Sequence, residues 1–292
     1  MNKRIGTWAA GVLALLGVLG SEANATSGGF DCGSGNRKVS YYSWFSGLRV
    51  VGLTDGNKLV CFNERWPDKV KKLGTVTGFQ GSDTALVGID FRVQDGLLYG
   101  VGNAGGVYTI DTQTAVLSFV NQLTVPLAGT SFGVDFNPAA DRLRIISDTG
   151  QNLRHSVLTG GTTIADTALS YTPPTAATGL VGAGYTNNDV DATTATTLFD
   201  VDSALDQISV QSPANSGMLV ATGKLGVDTQ SAVGFDIYSD LRNGVTTNNR
   251  GFASLTVNGT AAFYSVNVLT GRARFLGIFD DKIVDIAVPL DQ

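Results

Sequence analysis

The chain has 292 residues, of which 20 are Lys or Arg and 25 are Asp or Glu, giving a net charge of −5 with its one histidine neutral. That balance, with no basic patch along the sequence, argues against nonspecific binding to nucleic acid or anionic lipid. Its 37 glycines, with abundant Val, Leu, Thr, Asn and Asp, suit many short strands joined by tight turns and not long helices.

In chain order, Lys3 and Arg4 precede an apolar run from Trp8 to Leu19 and then Ser21-Glu22-Ala23-Asn24-Ala25. This is the pattern of a secretory signal peptide, with cleavage expected after Ala25. Without Lys3, Arg4 and Glu22 the mature chain keeps 18 basic and 24 acidic residues, a net charge of −6. The expected layout is a signal peptide over 1–25, an N-terminal arm over 26–48 and one domain over 49–292. The protein is expected to be exported, to the periplasm or outside the cell. No later run is apolar enough to span a membrane, because Gly, Asp or Asn interrupts each one. Cys32 lacks the preceding apolar residues of a lipid-anchored cysteine. It pairs most simply with Cys61 as one disulfide. Two thiols in a redox or metal site are the competing reading, which has neither CxxC spacing nor a second histidine behind it.

The domain itself is repetitive. Gly88-Ile89-Asp90-Phe91 recurs as Gly133-Val134-Asp135-Phe136, Gly182-Ala183-Gly184-Tyr185, Gly234-Phe235-Asp236-Ile237 and Ile283-Val284-Asp285-Ile286, in steps of 45, 49, 52 and 49 residues. The fullest copy, residues 132–154, predicts strand 133–136, a turn at Asn137-Pro138-Ala139-Ala140-Asp141, strand 142–147, a turn at Asp148-Thr149-Gly150 and strand 151–156. Each interval holds three further strands: 97–101, 106–111 and 116–121, then 197–201, 206–211 and 218–223, then 251–257, 262–267 and 273–279. A period near fifty with strand-like content predicts four-stranded propeller blades. Residues 283–289 form a first strand without successors, and 49–53, 59–62 and 72–76 form three strands without a predecessor. Joined, they make a blade from both termini. The expected fold is therefore all-β: a five-bladed β-propeller of four-stranded antiparallel blades, closed by strands from both ends. Insertions at 186–195 and 240–250 both follow an innermost strand, which puts them on one rim. Residues 173–179, Pro-Pro-Thr-Ala-Ala-Thr-Gly, read as a solvated link.

The stretch GVDFN-P-DRLRIISDTGQNLR, with GIDFR…LLYGVG…VYTID and GAGYTNN…TTLFDVDSALDQI, resembles the bacterial domain of unknown function DUF4394, from about Val50 to Pro289. The resemblance implies an exported, repeat-built β-domain and carries no activity with it. Glu64-Arg65-Trp66-Pro67-Asp68 and the cysteine pair depart from the pattern.

Several groups are candidates for chemistry. Asp90, Asp135, Asp236 and Asp285, with Gly184 in the fourth place, form a partial ring. Such carboxylates suit a calcium ion or a polarised water, or else accept backbone N–H groups from the neighbouring blade. Repetition from blade to blade favours the second reading. Arg142, Arg144 and Arg154 suit a carboxylate- or phosphate-binding fork, or an ion-pair lattice between blades, and nearby acids favour the lattice. Asp200, Asp202 and Asp206, and Asp189 with Asp191, read as acidic loop clusters without the Gly and Glu of an EF-type calcium loop. His155 has no partner for a triad or zinc site and reads as a polar surface or interface residue. Tyr41, Tyr42, Trp44, Phe45 and Trp66 either stack on sugars or cover the core. The candidate ligand-binding set is Asp90, Asp135, Asn137, Arg142, Arg144, Arg154, Asn187, Asn188 and Asp236, with no catalytic residue singled out. No resident cofactor is expected, calcium being the one ion the carboxylates suit. The expected function is a monomeric binding or scaffold propeller recognising a small molecule, glycan or envelope protein on one rim. The alternative is a carboxylate hydrolase or lyase in the central funnel, which leaves enzymatic activity open.

Overall fold

A computed structural model describes residues 47–172 and 175–291. The expected signal peptide, Cys32 and the aromatic residues Tyr41 to Phe45 lie outside the described residues. Cys61 is buried in a strand of the first blade.

Five four-stranded antiparallel sheets stand around one axis. Blade 1 is ordered β22 (Ile283–Ala287), β1 (Arg49–Thr54), β2 (Lys58–Asn63) and β3 (Trp66–Thr75) from the axis outward. Blade 2 is β4 (Leu86–Phe91), β5 (Leu98–Gly102), β6 (Gly106–Ile110) and β7 (Leu117–Gln122). Blade 3 is β8 (Phe132–Asn137), β9 (Arg142–Ser147), β10 (Asn152–His155) and β11 (Thr163–Ala165). Blade 4 is β14 (Leu180–Tyr185), β15 (Leu198–Asp202), β16 (Gln207–Gln211) and β17 (Leu219–Lys224). Blade 5 is β18 (Val233–Arg242), β19 (Val245–Val257), β20 (Thr260–Val266) and β21 (Ala273–Ile278). Val51 pairs with Ala287 and Leu53 with Asp285, so the two ends of the chain share a sheet as the repeat requires.

Turn chemistry explains the local breaks. Between β8 and β9, Asn137 Oδ1 accepts Ala140 N–H and Asp141 takes φ 50°, a conformation Asp tolerates. At the axis, glycine is required by close approach. A Cβ on Gly133 would sit 2.6 Å from Ala183 N, and one on Gly234 would sit 2.5 Å from the Cα of Asp285. In blades 3 and 5 the first glycine of the repeat thus lets neighbouring blades touch through their backbones.

Two predicted loops differ from expectation. Residues 240–250 are not a loop insertion. They lengthen β18 and β19 into a hairpin whose turn is Asn243-Gly244, with φ 53° and 78°. Asn-Gly flanked by extended residues is a strong hairpin signal, because both residues accept positive φ. The 173–179 link contributes β13 (Thr175–Ala176), which pairs with β12 (Ser170–Thr172), and Ala177 is buried.

The core is divided. Side chains alternate along each strand, so each blade sends one set to each neighbour, and apolar clusters fill the five seams. In β15, Phe199 and Val201 join the cluster toward blade 5, whereas Leu198 faces blade 3 with Ile146.

Candidate functional site

The repeat aspartates converge at the axis. Asp285 Oδ2 accepts Ile89 N–H of blade 2 at 2.7 Å, and Asp90 Oδ2 accepts Phe136 N–H of blade 3 at 2.7 Å. Asp135 Oδ1 accepts Tyr185 N–H of blade 4 at 3.1 Å, and Asp236 Oδ2 accepts Val288 N–H of blade 1 at 2.6 Å. Each carboxyl therefore ties its blade to the next. Gly184 breaks the series. There Asn188 substitutes from outside the strand, donating its Nδ2 to Ile237 O and its N–H to Ser239 Oγ, both of blade 5.

The carboxyls are 1–6% exposed, and one oxygen from each of Asp90, Asp135 and Asp236 lies within 4.8 Å of the other two. Burial, then the charge of neighbouring acids, raises Asp90 and Asp135 well above the usual carboxylate range. Burial also raises Asp285, and it pushes Asp236 up to about 7. Oxygens so spaced span a calcium ion with ligands at about 2.4 Å. The same carboxyls, however, are committed to main-chain donors across the seams, which is the structural arrangement that repetition favours.

The arginines do not form a fork. Arg144, 3% exposed, reaches Asn152 Oδ1 at 2.7 Å, Asp166 Oδ2 at 2.8 Å and Asn215 Oδ1 of blade 4 at 2.8 Å. Arg154 binds the other oxygen of Asp166 at 2.9 Å. Arg142 turns instead to the carbonyls of Ala140 and Asp141. Asn137 caps its own turn through Oδ1 and also bonds the Tyr185 side chain of blade 4. The ion pairs expected between blades lie instead within blade 3, on Asp166, and Arg144 crosses to blade 4 only through the neutral Asn215.

Asn187 and Asn188 do meet other groups. Asn187 N–H donates to Asn249 Oδ1 at 2.9 Å, and Asn249 Nδ2 returns a bond to Asn187 Oδ1 at 2.8 Å. Asp189, 3% exposed, accepts both Thr246 N–H and Thr246 Oγ–H on one oxygen. The two elaborations after β14 and β18 are thus fused on one rim. Trp66, 52% exposed, and Arg250, stacked 4.8 Å from the Tyr238 ring and 3.4 Å from Glu64, lie on the same rim of blades 5 and 1.

Three further expectations change. Asp200 and Asp202 are not loop residues. They sit in β15 with 0% exposure. Asp189 is buried as well. His155 is wholly buried at the blade 2–3 seam, with Nε2 facing Asn121 Oδ1 at 2.8 Å and Nδ1 facing Thr163 Oγ1 at 2.9 Å, so its interface reading holds and its surface reading does not. Sequence reasoning also missed Arg92, which binds both oxygens of Asp141 across that seam. Its partner lies 49 residues away, beyond any local pattern.

The fold and its axial aspartates define a five-bladed propeller whose blades are clamped by buried carboxyls. The chain belongs to the DUF4394 family, a domain of unknown function whose family model matches residues 58–287. No curated protein matches it. Among solved structures it is similar to a chain of a nidogen/laminin complex, with 9% identity and a TM-score of 0.49, covering 84% of this chain and 100% of the other. A symmetrical protein from a study of de novo evolutionary emergence has 12% identity and a TM-score of 0.47, with the same coverage. An auxiliary nutrient binding protein from Bacteroides ovatus ATCC 8483 has 13% identity and a TM-score of 0.39, over 76% of this chain and 57% of that one. Among the described residues no helix is long and apolar enough to cross a membrane.

Proposed function

We propose that the protein is an exported binding module whose ligand, a neutral oligosaccharide, lies on the rim built by blades 4, 5 and 1. The observation that carries this reading is the fusion of the two rim elaborations through Asn187–Asn249 and Asp189–Thr246. It preorganises a polar surface that blades 2 and 3 lack, and preorganised donors and acceptors spare the ordering cost of binding. Asp191, Asp240 and Asn248 offer hydroxyl-binding groups there, and exposed Trp66 offers a ring face for sugar C–H surfaces. The excess of acids over Arg250 disfavours an anionic ligand.

Hydrolysis by the axial carboxyls is the weaker reading. Each of those acids holds a neighbouring blade and none is more than 6% exposed, which speaks against contact with a glycosidic oxygen.

Calorimetric titration of the mature chain with cello-, xylo-, malto- and chito-hexaose tests the proposal. One series is expected to bind, with Asn249→Ala weakening it about tenfold, the loss of about 1.4 kcal/mol. Absence of binding by all four, or binding indifferent to Asn249→Ala and Trp66→Ala, would overturn it.

A further inference from the structure

The seam between blades 3 and 4 differs from the other four. Its apolar cluster is small, and Arg144, Asn152, Asp200, Asp202, Ser209 and Gln211 are buried beside it, each no more than 3% exposed. Strand alternation sets Asp200 and Asp202 of β15, and Ser209 and Gln211 of β16, on the face toward blade 3. Asp200 lies opposite Ser209, and Gln211 is opposite Leu198, so Asp200 and Gln211 are diagonal neighbours. Such neighbours stand about 7 Å apart, within reach of a long side chain.

Most of this network is matched. Tyr171 Oη donates to Asp202 Oδ2 at 2.6 Å and contacts Ser209 Oγ at 2.9 Å. Asn152 Nδ2 donates to Thr167 O and Ala214 O, and Gln211 Nε2 donates to Asn152 Oδ1 and Ala214 O. What remains are both oxygens of Asp200 and Oε1 of Gln211, which meet no donor among the described residues.

All three are acceptors, and a buried acceptor left without a partner is costly, a carboxylate most of all. The charges do not balance either. Arg144 and Arg154 share Asp166, which leaves Asp200 and Asp202 against one remaining positive charge. Water would supply donors but no charge. An anion is excluded by the acceptors themselves. Oxygen-only ligands with one surplus negative charge suit a hard cation, and a single charge suits a monovalent one.

The geometry points to a sodium-sized monovalent cation bound in the seam of blades 3 and 4, ligated by the Asp200 carboxylate and the Gln211 amide oxygen. It fills the place that apolar packing takes in the other seams, and it is independent of the rim reading.

Thermal unfolding of the mature chain near pH 8 in equal concentrations of sodium, potassium or choline chloride tests it. Wild type is expected to melt about 3 °C or more higher in sodium than in choline, and Asp200→Asn is expected to abolish the difference. If wild type does not distinguish the cations, or Asp200→Asn still does, the proposal fails. An Asp200→Asn chain more stable than wild type in every salt would mean that a proton neutralises the seam, which also overturns it. Should the variant not fold, wild-type crystals soaked in a thallium(I) salt decide: anomalous density between Asp200 and Gln211 is expected, and its absence refutes the site.

Discussion

Asp236 is buried while accepting N–H groups from Ile237 and Val288, and these two influences oppose each other. Burial wins, raising it from 3.8 to about 7. A carboxyl raised on folding stabilises the native state fully below its unfolded value, and that contribution is lost as pH rises through the folded one. Asp236 is therefore expected to lower wild-type Tm between about pH 4 and about pH 7, and Asp236→Asn to flatten that slope whatever its absolute stability. A slope unchanged in the variant would count against the axial coupling. His155 acts with the opposite sign. Burial, then the charge of Arg142, holds it down from 6.5 to about 4, so its contribution is present above 6.5 and lost as pH falls through about 4. Between about pH 4 and 6.5 histidine and aspartate thus act against each other, and above about 6.5 the aspartate slope stands alone.

At the scale of a strand, the departure in β14 has a steric cause. A Cβ on Gly184 would lie 2.8 Å from the Phe235 ring and 3.1 Å from Ile237 Cγ1, so no Asp fits where the repeat would place one. Gly184→Asp, though it completes the ring on paper, is expected to destabilise by about 1–3 kcal/mol in urea unfolding, as overpacking does. A neutral or stabilising outcome would mean that the axis has room for a fifth acid. The first strands were legible because Gly-x-Asp, whole or in part, repeats along the chain. The blade 5 hairpin was legible too, in Asn243-Gly244, but its low apolar content read as loop. Asp200 was not legible. It falls in the expected strand 197–201, but its burial is set by blade 3, about fifty residues earlier. Separations of 49 and 71 residues likewise hid Arg92–Asp141 and Arg144–Asn215.

For the molecule as a whole, closure rests on β22. It pairs with β1, brings Ile283, Ile286 and Val288 into one seam at 0–2% exposure, and contributes to two of the four carboxyl clamps. Burying three such side chains outweighs much of the about 5–15 kcal/mol by which a domain is stable. A chain ending before Ile283 is expected to lose its cooperative thermal transition in circular dichroism. A transition within a few degrees of wild type would show that closure contributes little. The five-blade count was legible from the two incomplete ends, since each lacks what the other has. The polar seam was not, because which faces meet depends on the finished ring.

The substitution of an amide for an acid between blades 4 and 5 makes the pinwheel uneven. Four joints take on buried, mutually repelling charge as protons leave, whereas the fifth, fastened by Asn188, has no proton to lose. Alkali would therefore loosen the disk everywhere except beneath its own rim platform, so blades 4 and 5 would part last and leave that surface intact on a ring already giving way.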